Sequence, residues 1–310
     1  MKYCEIKRTI KFRPHTHTHT KVIVLITNTR HTHKKKKTLN IYQRMGIIKA
    51  QSFDEPSVLK QMPSAEDPKV NAKVVDFGTC QCMKIEVTKG VDWKSCMGIL
   101  PGAPATCQTR HVGICVKGEL NVVMDDGTKF DIKEGDSYLI EPGHIFTETK
   151  SDVEAFEIVS KVEGAASAGG ASTYMNNDTS EEAKENNASF DVKRFDDPNI
   201  TTKEMKNGKA CVCFLGNKQA KGMVCYLQPG WTWATGAKAL LPEDKQHLTA
   251  CPARHVGFIK SGTFGMTDVE TGTETVAKAG MCYLCEPGHE ARVIGDEPVE
   301  FIEFESVGPF

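Results

Sequence analysis

CQTRHVGICVKG, residues 107–118, returns as CPARHVGFIKSG, residues 251–262, with six of twelve positions identical. The cysteine, the arginine, the His-Val-Gly triplet and the closing glycine are kept. Self-similarity at a fixed distance is sought first, because missing it misreads the whole fold. Three further blocks follow in the same order. Phe53-Asp54-Glu55-Pro56 matches Phe195-Asp196-Asp197-Pro198, and Gly90-Val91-Asp92-Trp93 matches Gly230-Trp231-Thr232-Trp233. EGDSYLIEPGH (134–144) matches AGMCYLCEPGH (279–289) at seven of eleven positions. His111 and His144 are 33 residues apart and His255 and His289 are 34 apart, a slip that a hairpin loop absorbs. The period is too long for a solenoid, so the chain reads as one domain written twice.

Within each copy the signals are strands and turns. His111–Lys117 alternates, with Val112, Ile114 and Val116 on one face. Leu120–Met124 runs into Asp125-Asp126-Gly127, a hairpin signal. Lys129–Ile132, Ser137–Ile140 and Phe156–Ser160 follow as short strands between turn residues. Helix is scarce, with Pro56–Met62 and Glu181–Glu185 as weak candidates. Many short, regularly spaced strands predict an all-β sandwich or barrel. Residues 163–189, rich in Gly, Ala, Ser, Asn and Glu without apolar periodicity, are expected to be a flexible linker. The expected domains are therefore 45–162 and 190–310.

A length of 310 residues suits about two domains. Residues 1–44 stand apart. They hold twelve Lys and Arg against the single acid Glu5, and they contain HTHTHT (15–20) and HTHKKKK (31–37). Alternating His and Thr is what a CACACA repeat encodes, so this basic His/Thr/Lys-rich leader is expected to be a translated upstream repeat, with Met45 as the start. A His-rich metal tail, a targeting segment and a nucleic-acid arm stay open as alternatives. The remaining chain is acidic, which argues against a nucleic-acid partner. No apolar run approaches the roughly 20 residues that span a bilayer. Twelve cysteines without a secretory signal read as reduced, and a cytoplasmic location is expected.

These residues resemble the cupin superfamily, and the doubled arrangement resembles a bicupin. The resemblance covers roughly residues 70–160 and 205–305. It implies two tandem jelly-roll β-barrels, each holding one metal ion between two motifs. The first motif has His-x-His, then Glu, then a closing Gly. Aligned on Gly118, the family's Glu falls on His111, its second His on Cys107 and its first on Ala105. Aligned on Gly262, the same positions fall on His255, Cys251 and Thr249. In the second motif the family's His falls on Phe146 and Ala291, but His144 and His289 stand two residues earlier, on the same strand face. The usual three-His-one-Glu set is therefore replaced.

Each copy offers one sulfur and two imidazoles as candidate metal ligands: Cys107, His111 and His144, then Cys251, His255 and His289. This donor set favours zinc over manganese or magnesium, with iron, copper or nickel as alternatives. Geometry sets a condition. On a straight strand Cys107 and His111 lie about 13 Å apart, so Gln108–Arg110 must bend for both to ligate. Arg110 and Arg254 are candidates for holding a substrate carboxylate, against a salt bridge on the barrel exterior. Glu141 and Glu286 are candidate acid/base groups, and Trp93 and Trp233 are barrel plugs or pocket walls. Cys80, Cys82, Cys211 and Cys213 read as core, and Cys282 and Cys285 sit on opposite strand faces.

The expectation is a metal-dependent enzyme acting on a small polar or carboxylate-bearing molecule. Its chemistry would be hydration, hydrolysis, lyase or isomerase, or dioxygenase if the metal is iron. The alternative is a non-catalytic ligand- or metal-binding or storage-type bicupin, with Val112, Ile114 and Val116 in the barrel–barrel contact. Pairing of domains within the chain fits a monomer or a small homo-oligomer.

Overall fold

The computed structural model describes residues 48–62, 69–160, 189–216 and 220–307. The expected leader, the linker up to residue 188 and the weak helix candidate Glu181–Glu185 lie outside them. The regular elements among the described residues are almost all strands. The first half runs β1 (Ile48–Ser52), β2 (Val58–Met62), β3 (Val70–Asp76), β4 (Cys80–Val87), α1 (Trp93–Cys96), β5 (His111–Lys117) and β6 (Glu119–Met124). It continues with β7 (Lys129–Lys133), β8 (Asp136–Ile140), β9 (His144–Phe146) and β10 (Val153–Ser160). The second half runs β11 (Phe190–Arg194), β12 (Thr201–Met205), β13 (Gly208–Leu215), β14 (Ala220–Leu227) and β15 (Arg254–Ser261). It ends with β16 (Thr263–Asp268), β17 (Glu274–Lys278), β18 (Met281–Cys285), β19 (His289–Val293) and β20 (Val299–Val307). Pro56–Met62 is thus not helical: Val58–Met62 pairs with β3, where tertiary pairing overrides a weak local preference.

Each half faces a seven-stranded sheet with a three-stranded one, β7-β6-β9 in the first half and β17-β16-β19 in the second. Between them lie apolar cores, around Cys115, Val122, Ile132 and Tyr138 in the first and Ile259, Met266, Ala277 and Tyr283 in the second. The outer faces of the two large sheets pack on each other. Val112, Ile114 and Leu139 meet Val256, Phe258, Leu284 and Phe304 there, with Val116 packed alongside. Cys80, Cys82, Cys211 and Cys213 are buried in the same layer. Strands β5 and β15 therefore bury both faces, which is why their sequences read as near-continuous apolar runs. Cys282 joins the layer between the barrels and Cys285 the barrel core, the opposite faces expected at that spacing.

The sheet orders cross the halves. The large sheets run β11-β8-β5-β10-β4-β3-β2 and β1-β18-β15-β20-β14-β13-β12. Each barrel thus receives the first strand of the other half: Ile48–Ser52 pairs with Met281–Cys285, and Phe190–Arg194 with Asp136–Ile140. This is an internal exchange of like elements, and it covers the edge of β8 and of β18. The Phe-Asp-x-Pro block that follows each exchanged strand now has a role. Phe53 and Phe195 bury into the layer between the barrels.

A chain starting at Asp54 is expected to leave β18 uncovered. Hydrogen exchange of the Met281–Cys285 amides should quicken about tenfold or more relative to a chain starting at Met45, while Asp136–Ile140 keeps its protection. Equal protection of β18 in both chains would show that β1 contributes nothing to the second barrel.

Candidate functional site

The bend required between Cys107 and His111 is present. Cys107 leaves the large sheet's line and forms an isolated antiparallel bridge with His144, and Cys251 does the same with His289. The Cys107 amide donates to the His144 carbonyl at 2.6 Å and the Gly143 amide to the Cys107 carbonyl at 2.7 Å. The chain bends at Thr109 and enters β5 at His111. One residue type thus comes from the small sheet's side and the next from the large sheet. Cys107 Sγ lies 3.4 Å from His111 Nε2, and Cys251 Sγ lies 3.4 Å from His255 Nε2. In each half the sulfur and two imidazole nitrogens all lie within 4.8 Å of one another.

The outer nitrogens decide which atoms face inward. His144 Nδ1 is 2.7 Å from the Glu141 carbonyl oxygen and His289 Nδ1 is 2.8 Å from that of Glu286. A carbonyl only accepts, so Nδ1 carries the proton and Nε2 offers a lone pair. His111 Nδ1 donates to Glu157 at 2.7 Å and His255 Nδ1 to Glu303 at 2.8 Å. Each carboxylate in turn accepts from a buried tyrosine, Tyr138 at 2.8 Å and Tyr283 at 2.5 Å. Oriented imidazoles with committed outer nitrogens are the surroundings that metal-binding histidines have. Soft sulfur and borderline nitrogen donors fit a divalent metal ion such as zinc.

These contacts favour a thiolate beside an imidazolium, and binding a metal ion would displace the Nε2 proton of His111 and His255. Burial works against a Cys107 thiolate, but the hydrogen bond and charge of His111 outweigh it and hold Cys107 down to about 5. Burial likewise opposes charge at Cys251, and the charge and hydrogen bond of His255 bring it to about 6. Burial disfavours protonated His111 and His255, yet the Glu157 and Glu303 carboxylates beside them push both up to about 10. Desolvation and the neighbouring carboxylate keep the Tyr138 and Tyr283 phenols protonated, with values raised well above the usual range. The cysteines outside the sites differ. Burial pushes Cys115 and Cys213 up to about 11, as expected of inert core thiols.

Glu157, Glu303, Tyr138 and Tyr283 escape the sequence reading. Their signal was present only in part: the tyrosines lie in the repeated Tyr-Leu-x-Glu-Pro-Gly-His, and Glu157 and Glu303 are among several acids that interrupt the apolar last strand of each copy. The glycine of the His-Val-Gly triplet belongs to the same arrangement. A Cβ at Gly113 would collide with the Phe156 carbonyl and stand 2.8 Å from Glu157 Cγ; one at Gly257 would collide with the Ile302 carbonyl. Glycine is there so that the buried carboxylate can cross behind the histidine.

The other expected site residues divide. Arg110 pairs with Glu141 through two hydrogen bonds, one of them 2.8 Å from Nε to Oε2. Arg254 donates to Glu286 at 3.1 Å and to Thr79 of the other half at 2.9 Å, and the pair is buried. None of these five side chains is among the described residues lining the barrel cavities. No Lys or Arg lines either cavity among the described residues, so the carboxylate-bearing substrate expected from Arg110 and Arg254 meets no cation there. Trp93 and Trp233 do stand in the cavity walls, beside the Cys-His-His groups.

No family model and no curated protein matches the sequence. Solved structures do. Lactobacillus farciminis oxalate decarboxylase, crystallised as a formate complex, is 13% identical with a TM-score of 0.53, over 84% of this chain and 86% of that one. A deletion variant of Bacillus subtilis oxalate decarboxylase is 14% identical with a TM-score of 0.52, over 83% of this chain and 76% of that one. A putative glyoxylate-induced protein from Pseudomonas aeruginosa is 11% identical with a TM-score of 0.52, over 85% and 90%. Among the described residues no helix is long and apolar enough to cross a membrane. At such identities the likeness is one of architecture, an all-β fold of jelly-roll type.

Proposed function

We propose that the chain is a bicupin, with domains at 45–162 and 190–310, and a metal-dependent enzyme acting on a small molecule. Each domain holds one zinc ion through Cys107, His111 and His144 or Cys251, His255 and His289. The observation that carries this reading is the recurrence, in both halves, of one sulfur and two imidazole nitrogens within 4.8 Å of one another. Three protein ligands are the number found at catalytic rather than structural zinc sites.

When bound, zinc supplies Lewis-acid polarisation and water activation, which suits hydration, hydrolysis, isomerisation or elimination. The chain's own residues position and exclude. Glu157 and Glu303 hold the outer nitrogen of His111 and His255. The Glu141 and Glu286 carbonyls hold that of His144 and His289. We assign Glu141 and Glu286 to positioning, with Arg110 and Arg254 fixing their carboxylates. Trp93 and Trp233 contribute to the cavity walls that hold the donor atoms.

Elemental analysis tests the reading directly. The protein is expected to carry about two zinc ions per chain, falling by about one in Cys107→Ala, by one in Cys251→Ala and to near zero in the double variant. Undiminished metal in both single variants would remove the cysteines from the site. Folded, metal-free wild-type protein after growth in zinc would end the proposal.

A further inference from the structure

The two barrels share their donor sets and differ in the space beside them. The cavity at Cys107, His111 and His144 has a volume of about 300 Å³, whereas that at Cys251, His255 and His289 has about 60 Å³. Bulkier residues at two matching positions of the second copy take up space there. Ala155 lies two residues before Glu157 and pairs with Cys115; Phe301 lies two residues before Glu303 and pairs with Ile259, at the same place in the other barrel. Trp231 takes the position of Val91, directly after the matching glycine. Phe301 and Trp231 both stand in the wall of the small cavity, and Leu241 from the segment before Cys251 adds to them. That segment is four residues longer in the second copy, counted from Trp233 to Cys251 against Trp93 to Cys107.

The wall chemistry of the larger cavity narrows its occupant. Beyond the Cys-His-His group it is mostly hydrocarbon, with Val122, Ile140, Phe146 and Trp93 among its members. The Tyr138 hydroxyl donates to Glu157 and Glu157 accepts from His111, whereas the buried Trp93 Nε1 has no hydrogen-bond partner. No described Lys or Arg lines it. A ligand carrying a charge away from the donor atoms would leave that charge unpaired in an apolar wall. An apolar cavity of about 150 Å³ already takes benzene, so about 300 Å³ accommodates a substituted ring. About 60 Å³ has room for only a few water molecules.

Building on the metal reading above, we propose that the barrels have divided roles: the first is a ligand chamber for one uncharged, compact, mostly hydrocarbon molecule bearing a single oxygen or nitrogen head group, and the second is closed to ligand. The head group lies at Cys107, His111 and His144, and the hydrocarbon part against Trp93, Val122 and Phe146. The second barrel keeps its donor set, with space beside it for no more than a few water molecules.

Calorimetric titration of the full-length protein with benzyl alcohol and with 4-(hydroxymethyl)benzoate, whose charge lies away from the alcohol, tests this, with metal content measured on the same sample. Benzyl alcohol is expected to bind at about one equivalent per chain, and the charged analogue at least about tenfold more weakly. Ala155→Phe should weaken benzyl alcohol binding about tenfold or more while metal content stays as in the wild type. Phe301→Ala should add a second equivalent. Two equivalents in the wild type, the charged analogue binding as tightly as benzyl alcohol, or no binding of either probe would overturn the division of roles. If Ala155→Phe does not fold, Phe301→Ala decides: a folded variant that still binds one equivalent counts against the proposal. Probe binding by a metal-free protein would leave the chamber standing and remove the metal reading. A metal-loaded protein that binds no probe would do the reverse.

Discussion

Replacing Gly257 with alanine is expected to destabilise the protein by about 1–3 kcal/mol, the usual effect of forcing extra volume into a packed interior. It should also remove about one of the two proposed metal ions. The added methyl group would collide with the Ile302 carbonyl and stand 2.9 Å from Glu303 Cγ. The carbonyl belongs to β20, which is hydrogen-bonded to β15 on that side, so it can retreat only by opening the sheet. Glu303 must retreat with it, and His255 then loses the acceptor that orients its ring. Gly113→Ala is expected to do the same to the first site through Phe156, Glu157 and His111. Thermal unfolding and elemental analysis of the two variants check this together. An unchanged melting temperature with wild-type metal content would show that the close approach of Glu303 to Gly257 is unimportant.

Arg254→Leu is expected to be more damaging to stability. Arg254 and Glu286 have side chains only 4% and 7% exposed, so removing the guanidinium strands a carboxylate in the interior. Breaking a buried pair from one side costs about 3–5 kcal/mol, a shift on the order of 10 °C in melting temperature for a chain of this size. The Thr79 hydroxyl, which accepts from the same guanidinium across the two halves, loses its partner as well. Arg254→Leu combined with Glu286→Leu should recover part of the loss, because Glu286 is then no longer left as an unpaired buried carboxylate. The corresponding pair Arg110–Glu141 is 14% and 21% exposed, and solvent screening makes Arg110→Leu the milder change. Equal losses at the two positions, or no recovery in the double variant, would contradict this account.

The repeated stretch at 107–118 and 251–262 carried much of the architecture. His111–Lys117 alternates as a strand does, and the strand observed has those bounds. The candidate donor residues were legible because the same three types recur at matching places in both copies. Their convergence was not legible. A straight strand would have separated Cys107 from His111, and the contact exists because Cys107 pairs with His144, 37 residues away in the chain, while Thr109 bends. Arg110 and Glu141 each looked like a functional group when read alone. In the fold they engage each other, a pairing that neither residue's neighbours in sequence announce.

Several strands of the first copy, the two faces of β5 and the residue types available at each site were legible in the chain alone, because a side-chain period of two and turn chemistry are properties of adjacent residues. Tertiary structure alone decided three things: that β1 and β11 cross to the opposite barrel, that Glu157 and Glu303 stand behind the histidines, and that one cavity is about 300 Å³ and the other about 60 Å³. Each depends on contacts between segments far apart in the chain, where a single exchange such as Ala155 for Phe301 changes the volume left over without altering the strand pattern around it.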